Sequence, residues 1–129
     1  IDKRRTSGST AVVHNIIGDV EGKDVVMIDD MIATAGTVCE AARICKERGA
    51  RTVRGAATHA VFAGPALERL AAAPFTEIAV ADTIPLPNEV RKRLPNLVLL
   101  TVAEIFGEAI ARIHKHRSVS SLFTNHDEK

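Results

Sequence analysis

The segment at residues 24–37 constrains the fold of this chain most strongly, because it joins a strand to a helix through a very short loop. Residues 25–28 are four consecutive apolar residues and predict a buried strand. Asp29 and Asp30 follow directly, and the loop Thr-Ala-Gly-Thr at residues 34–37 leads into an amphipathic helix. This order predicts one repeat of an α/β sheet, with two acids at the carboxyl end of a strand.

The loop at residues 34–37 has the chemistry of a phosphate site. A loop that opens a helix presents unpaired backbone N–H groups at the positive end of the helix dipole. The hydroxyls of Thr34 and Thr37 add donors, and Gly36 lets an anion approach the backbone closely. The preceding acids would repel a bare phosphate, so we expect a ligand that also carries hydroxyl groups or Mg²⁺, such as a sugar phosphate. The alternative is a generic junction, since Asp, Thr and Gly also suit caps and turns.

Apolar strands alternate with helical patterns along the rest of the chain. Two apolar stripes with helical spacing comprise Val38, Ala41, Ala42 and Cys45, and Phe106, Ala109, Ile110 and Ile113. Further strands are predicted at residues 10–17, 52–58, 77–81 and 97–101, and a short helix at residues 64–72. The alternation predicts a single α/β domain over residues 1–129, with a mostly parallel sheet flanked by helices on both faces.

Charge and composition limit the class of partner. The 129 residues carry 17 Lys and Arg against 16 Asp and Glu, and the only aromatic residues are four Phe, which argues against a nucleic-acid or membrane surface. Cys39 and Cys45 lie six residues apart in one predicted helix, a rise of about 9 Å that is too long for a disulfide. Thiols of this kind favour a reducing compartment. Since no signal peptide or membrane-spanning segment is visible in the sequence, we expect a cytoplasmic protein.

Several segments, in order along the whole chain, resemble one enzyme family. The acid pair followed by Thr-Ala-Gly-Thr resembles the phosphoribosyl-pyrophosphate signature of type I phosphoribosyltransferase folds. Similarity to the carboxyl-terminal half of ribose-phosphate pyrophosphokinases, also called phosphoribosyl-pyrophosphate synthetases, extends to residues 2–5, 15–20, 58–59, 64–66, 82–86 and 118–123. The resemblance implies a type I phosphoribosyltransferase-like α/β fold.

The resemblance also implies a reaction and an organisation. Enzymes of this family transfer the β,γ-pyrophosphoryl group of Mg-ATP to the C1 hydroxyl of ribose 5-phosphate, giving phosphoribosyl pyrophosphate and AMP for nucleotide biosynthesis. They contain two similar domains and form ring-like homo-oligomers, which suggests a hexamer. This chain would be the carboxyl-terminal domain, and the Mg²⁺ ligands, a His and an Asp, are expected mainly in an amino-terminal half outside this sequence. The isolated chain is then expected to bind ribose 5-phosphate and to turn over poorly.

Family residues carry over to matching positions of this chain. Lys3 matches the catalytic lysine of a mobile loop, and Arg5 matches an arginine that binds ribose 5-phosphate. Asp29 matches the acid that holds the ribose hydroxyls, and Asp30 belongs to the same motif. The residues expected around the 5-phosphate are Ala33, Thr34, Ala35, Gly36 and Thr37.

Other positions leave alternatives open. Ser118 and Ser120 match a tail near a regulatory phosphate or ADP site between subunits, or else form a helix cap. Ala33 stands where the family more often has a third acid, whereas many phosphoribosyltransferases have alanine there. A phosphoribosyltransferase and a non-catalytic regulatory homologue are therefore the alternative functions. His59 and Asp82, at two other predicted strand ends, either approach the ligand or pack locally.

Overall fold

The computed structural model describes residues 2–6, 10–15 and 18–123, with side chains described for residues 18–123. Strands and helices alternate from residue 24 onward, as the sequence predicts. The strands are β1 (Asp2–Thr6), β2 (Thr10–Asn15), β3 (Asp24–Ile32), β4 (Thr52–Ala60), β5 (Glu77–Ala81) and β6 (Leu97–Leu100). The helices are α1 (Gly36–Glu47), α2 (Ala66–Ala72), α3 (Asn88–Arg93) and α4 (Ala103–His114), and a 3₁₀ turn at Ser120–Leu122 follows.

Strands β3 to β6 form a four-stranded parallel sheet in the order β3-β4-β5-β6. Their register places Met27, Gly55, Ile78 and Leu97 side by side. Because the strands are parallel, all four carboxyl ends lie at one edge of the sheet, where ligands of α/β proteins bind. The parallel sheet with flanking helices confirms the predicted fold class, and β1 and β2 form a separate antiparallel pair.

One face of the sheet carries the core. Alternate residues of β4, including Val53 and Ala57, are buried on this face, and Ile78 and Val80 of β5 are fully buried beside them. Burying a large apolar side chain contributes about 1.5–3 kcal/mol, so this layer holds the helices on the sheet. The helices and the segment after α3 contribute buried side chains that include Cys45, Leu70, Val90 and Leu94.

The opposite face differs from the expectation that helices cover both faces. Ile28 on the edge strand β3 is 82% exposed, and Val98, in the same cross-strand row, is 38% exposed. The second apolar stripe does form a helix, α4, but Phe106 and Ile110 are 58% and 65% exposed, and the described part of the chain buries no residue of α4. Periodicity predicts that a helix has an apolar face and does not identify what covers it.

No helix within the described ranges combines the length and apolar character needed to cross a membrane.

Three local predictions were wrong. β3 continues through both acids to Ile32, and β4 continues through His59, because pairing between neighbouring strands outweighs the weak strand propensity of polar residues. The resemblance implied a loop at residues 2–5, whereas these residues belong to β1 and pair with β2. The sequence pattern assigned no element to residues 88–93, which form α3, since six residues are too few to show a helical period.

Candidate functional site

The chain passes from β3 into α1 through a tight turn at the carboxyl edge of the sheet. Ala35 in this turn is buried and left-handed, with φ of 58°. This conformation costs a residue with a Cβ roughly 1–2 kcal/mol, and such strain is concentrated at functional sites. We call residues 33–37 the 33–37 loop, although the last two of them begin α1.

The amino end of α1 leaves its first N–H groups available to a ligand. The N-cap residue is Ala35, which has no polar side chain, and no side chain of the described residues caps the helix. The carbonyl of Ala35 accepts the hydrogen bond of Cys39 N–H at 3.1 Å. The N–H groups of Gly36, Thr37 and Val38 precede this bond and have no carbonyl partner within the helix. Three donors at the positive end of a helix dipole favour an anion.

The carbonyl groups of residues 32–34 are held by the connection between β4 and α2 and by α2 itself. Three hydrogen bonds, which we call the loop ties, join Ile32 carbonyl to Phe62 N–H at 3.0 Å, Ala33 carbonyl to Ala63 N–H at 2.9 Å, and Thr34 carbonyl to Arg69 Nη1 at 3.0 Å. In a planar trans peptide the C=O and the following N–H point in opposite directions. Each tie therefore directs the N–H of residue 33, 34 or 35 away from the β4–α2 connection.

A cavity of about 160 Å³ adjoins the loop and is much larger than one water molecule needs. It is lined by Asp29, Met31, Ile32, Ala33, Thr34, Ala35, Gly36, Thr37 and Val38. None of the described donors of the loop ties lines it, so the tied oxygens bond away from it. The structure thus brings Asp29 and the whole 33–37 loop around one space, and their roles in binding stay predictions. A groove of about 380 Å³ shares Asp29, Thr37 and Val38 and continues over apolar residues of β3 and α1.

The two acids of the motif occupy adjacent positions on β3 and therefore point to opposite faces of the sheet. Of the two, Asp29 lines the 160 Å³ cavity and Asp30 does not. Asp29 Oδ1 accepts a hydrogen bond from Asp30 N–H at 3.0 Å, and Asp30 Oδ1 accepts one from Met31 N–H at 2.7 Å. The sequence grouped the acids together, and the geometry separates them. A binding role for Asp30 stays a prediction.

The remaining predicted residues are Lys3, Arg5, Ser118 and Ser120. The side chains of Lys3 and Arg5 fall outside the described residues, so their assigned roles stay predictions. The hydroxyl of Ser118 accepts a hydrogen bond from Ser120 N–H at 3.1 Å, and the carbonyl of Ser118 accepts one from Arg112 Nη1 at 3.2 Å. These contacts hold the turn after α4, and a regulatory role for either serine stays a prediction.

His59 and Asp82 are bonded to neighbouring strand ends. Thr83 Oγ1 donates to the carbonyl of Thr58 at 2.9 Å and lies 2.9 Å from His59 Nδ1. Since the hydroxyl has a single proton, the ring donates to it through Nδ1–H. Asp82 Oδ1 accepts a hydrogen bond from Val102 N–H at 2.9 Å, and this bond lowers the pKa of the carboxyl below its usual value. Both side chains therefore have local hydrogen-bond partners, and an approach of either one to a ligand stays a prediction.

The described residues contain no group of three or more His, Cys, Asp or Glu side chains placed to hold a metal ion. Cys39 and Cys45 are buried free thiols. Burial raises the pKa of Cys39 to about 11 and raises the pKa of Cys45 above its usual value. Thiols that stay protonated at neutral pH are poor nucleophiles and poor metal ligands.

Sequence reasoning missed the residues that make the loop ties. Arg69 contacts a carbonyl 35 residues away, and no local pattern reports such a contact. Phe62 and Ala63 act through main-chain N–H groups, which carry no side-chain signal. One sequence signal pointed to this region. Residues 64–66, which lie between these donors and Arg69, resemble the enzyme family.

The chain is similar to known proteins in both sequence and structure. Residues 9–124 match the model of the phosphoribosyl synthetase-associated domain. The chain is 54% identical to the ribose-phosphate pyrophosphokinase of Synechococcus elongatus, over 95% of this chain and 37% of that protein. It is 52% identical to the ribose-phosphate pyrophosphokinase of Rhodopirellula baltica, over 95% of this chain and 39% of that protein. The crystal structure of phosphoribosylpyrophosphate synthetase from Mycobacterium smegmatis matches with a TM-score of 0.73 and 38% identity, over 78% of this chain and 33% of that chain.

The chain thus spans 37% and 39% of the length of these two curated relatives. The structural match confirms the phosphoribosyltransferase-like fold that the motif suggested. The family model extends over nearly the whole chain, from the strand before β3 to the residues after the 3₁₀ turn. The chain therefore belongs to the phosphoribosyl synthetase-associated domain family.

Proposed function

We propose that this chain supplies the ribose 5-phosphate site of a ribose-phosphate pyrophosphokinase. Such an enzyme transfers pyrophosphate from Mg-ATP to the C1 hydroxyl of ribose 5-phosphate, giving phosphoribosyl pyrophosphate and AMP for nucleotide biosynthesis. The observation that carries the proposal is the cavity lined by Asp29 and the 33–37 loop, beside an uncapped helix start and with the loop carbonyls bonded elsewhere. Proteins similar to this chain over 95% of its length bear the name of that enzyme.

Each part of a pentose phosphate has a suitable partner around this cavity. The 5-phosphate dianion would accept hydrogen bonds from the N–H groups of the 33–37 loop and the first turn of α1, and from the hydroxyls of Thr34 and Thr37. Asp29 would accept hydrogen bonds from the ribose hydroxyls, as a carboxylate is an acceptor only. Holding the sugar at both its phosphate and its ring fixes the direction in which the C1 hydroxyl points.

Pyrophosphoryl transfer depends on alignment and charge stabilisation more than on covalent participation by the protein. In the proposed reaction the C1 oxygen attacks the β-phosphorus of ATP, and the bond between that phosphorus and the oxygen bridging to the α-phosphate breaks. AMP leaves with the bridging oxygen, and the proton of the C1 hydroxyl is released to solvent. Lys3 and Arg5 would supply positive charge to the phosphoryl groups during transfer. Removing one well-placed donor of this kind costs on the order of 10²–10³ in turnover.

Mg²⁺ enters this proposal as the partner of ATP. The described residues do not fit a metal site built by this chain alone, because they offer no set of three ligating side chains. Magnesium commonly combines one or two carboxylates with substrate phosphates and water. We propose that its protein ligands belong mainly to the rest of the longer protein, and no step above passes through the metal.

The same proposal gives the chain a place in a larger enzyme. We propose that it is the carboxyl-terminal domain of a two-domain cytoplasmic protein that assembles as a homo-oligomer, with a hexamer as the expected state. Its span of 37% of a similar pyrophosphokinase supports a place within a longer protein. Because ATP would be held largely by the other domain, the isolated chain is expected to bind ribose 5-phosphate and to release little AMP.

Two measurements on the full-length protein test the proposed function. ATP and ribose 5-phosphate together should give AMP without any nucleobase. Pyrophosphate release that requires a nucleobase would instead support the phosphoribosyltransferase alternative, which Ala33 favours. Calorimetry should show that ribose binds at least about tenfold more weakly than ribose 5-phosphate, because the charged contacts to phosphate are lost. Absence of both AMP formation and ribose 5-phosphate binding would overturn the proposal.

A further inference from the structure

We infer that Arg69 is a positioning residue that holds the 33–37 loop in the shape required by the 5-phosphate. The inference rests on the proposed function, since it concerns the same cavity. Arg69 is not among the described residues that line this cavity. Its Nη1 atom donates instead to the carbonyl of Thr34 at 3.0 Å. Arg69 therefore acts on the ligand through the loop.

The tie from Arg69 differs from the other two loop ties. The donors at Phe62 and Ala63 are main-chain groups that follow from the path of the chain after β4. The donor at Arg69 is a charged side chain from a different element, α2, and a charged donor makes a stronger hydrogen bond than a neutral one. Substitution can remove this tie while leaving the other two in place.

The peptide group that Arg69 holds is the one that leads into the left-handed turn. The carbonyl of Thr34 and the N–H of Ala35 belong to the same planar unit and point in opposite directions. Bonding the carbonyl to α2 directs the Ala35 N–H away from α2, toward the cavity side of the loop. Without this bond the peptide can rotate and present a carbonyl oxygen to the phosphate, which it would repel.

Gly36 makes room for the arginine. A Cβ at position 36 would lie 3.2 Å from Arg69 Nη1, closer than ordinary van der Waals contact. The guanidinium thus lies against the first residue of α1, at the positive end of the helix dipole. A cation is unfavourable there for the helix alone, and it increases the attraction for a phosphate bound nearby. Because glycine has no Cβ, position 36 leaves room for this contact as well as for the approach of the anion.

The test compares Arg69→Met and Arg69→Lys in the full-length protein, with Arg43→Met as the matched control. Arg43 lines the same surface groove as Arg69 but pairs with Glu40, at 2.6 Å, on its own helix. Calorimetry gives the affinities for ribose 5-phosphate and for ribose, and AMP formation gives kcat and the two KM values. Arg69→Met should weaken ribose 5-phosphate binding and raise its KM about tenfold, with the affinity for ribose and the KM for ATP nearly unchanged. Arg69→Lys should recover part of the loss, because it keeps a charged donor, and Arg43→Met should match the parent.

The possible outcomes separate this inference from the proposed function. Parent-like ribose 5-phosphate affinity in Arg69→Met overturns the inference and leaves the function standing. An equal rise in the KM for ATP and for ribose 5-phosphate, without recovery in Arg69→Lys, indicates a general structural role and also overturns it. If Arg69→Met does not fold, Arg69→Gln replaces it under the same criteria. If the parent protein binds no ribose 5-phosphate, the function and the inference fail together.

Discussion

The two ends of β3 carry the same residue type in opposite situations. At the amino end, the Asp24 carboxylate accepts hydrogen bonds from Arg51 Nε at 2.9 Å, from Arg51 Nη2, and from Thr52 Oγ1 at 2.6 Å. At the carboxyl end, Asp29 lines a cavity next to the start of α1. The fold uses the first carboxylate to join β3 to β4, and it leaves the second beside a space that suits a ligand.

The comparison shows that a carboxylate at a strand end does not by itself identify a site. Hydrogen bonds from Arg51, and then from Thr52, hold the pKa of Asp24 well below its usual range, so this group is a structural anion. The carboxyl end differs in its main chain, where two successive carbonyls are bonded to the β4–α2 connection, the next is bonded to Arg69 of α2, and the helix start is uncapped. The direction of backbone donors, more than the acids, distinguishes the candidate site.

The largest expected effect concerns Lys3, to which the proposed function gives a catalytic role. Replacing Lys3 with alanine in the full-length protein should lower kcat by on the order of 10²–10³, with only a modest loss of ribose 5-phosphate affinity, since the charge acts mainly on the transferring group. Lys23→Ala is the control, because Lys23 belongs to the turn before β3 and bonds the carbonyl of Asp19 at 2.9 Å. Steady-state AMP formation measures both variants. Equal turnover in Lys3→Ala and the parent would remove Lys3 from the mechanism.

A smaller effect is expected from one substitution, threonine to valine, made near each end of β3. Thr37→Val, at the loop, should weaken ribose 5-phosphate binding about tenfold, because a hydroxyl donor to a charged phosphate is lost. Thr52→Val, at the amino end, removes a donor to Asp24 and should lower the free energy of unfolding without changing that affinity. Calorimetry and chemical denaturation distinguish the two results. Unchanged affinity in Thr37→Val would refute its role.

If Gly36 and Arg69 act together, substitutions at the two positions should have non-additive effects on ribose 5-phosphate affinity. A Cβ added at Gly36 displaces the guanidinium, so Gly36→Ala should lower ribose 5-phosphate affinity several-fold, and combination with Arg69→Met should lower it by less than the product of the single effects. Gly107→Ala is the control, since its Cβ would have no described atom within 4 Å. Titration of the two single variants and the double variant provides the cycle. Independent effects would show that Gly36 and Arg69 act separately.

The smallest expected effect concerns stability and pH at the amino end. Because the folded-state pKa of Asp24 is lowered, its contribution to stability is present above the unfolded-state pKa of about 3.9 and is lost as pH falls toward the folded value. Asp24→Asn should therefore be less stable than the parent at pH 7, and the difference should shrink below about pH 4. Denaturation at several pH values measures it, with ribose 5-phosphate affinity unaffected. A difference independent of pH would mean that the charge of Asp24 does not stabilise the fold.

Local patterns predicted the elements whose signals are contained within a few residues. The apolar run at residues 25–28, the stripe ending at Cys45 and the strand Glu77–Ala81 all appear in the structure. The 33–37 loop and Asp29 surround one cavity because a strand, a loop and a helix start that are consecutive in sequence remain adjacent in space.

Features that depend on distant parts of the chain could not be read from such patterns. Arg69 reaches the loop only because α2 packs beside α1, and Asp24 meets Arg51 only because β3 pairs with β4. Strand pairing also carries β3 past Asp29 and Asp30, against their own propensity. The apolar stripe of α4 was predicted correctly, but periodicity alone does not report that the described residues leave this stripe exposed.

The main-chain loop ties have an evolutionary consequence. The donors at Phe62 and Ala63 are main-chain groups, so side-chain substitutions other than proline keep them wherever the backbone path is kept. The positive φ of Phe62 and Gly64, 45° and 55°, still limits which residues fit at those two positions. Inserting or deleting one residue between β4 and α2 would instead shift these donors against their acceptors and turn the face of α2 that carries Arg69 by about 100°. The number of residues in this connection should therefore vary less among homologues than their identity.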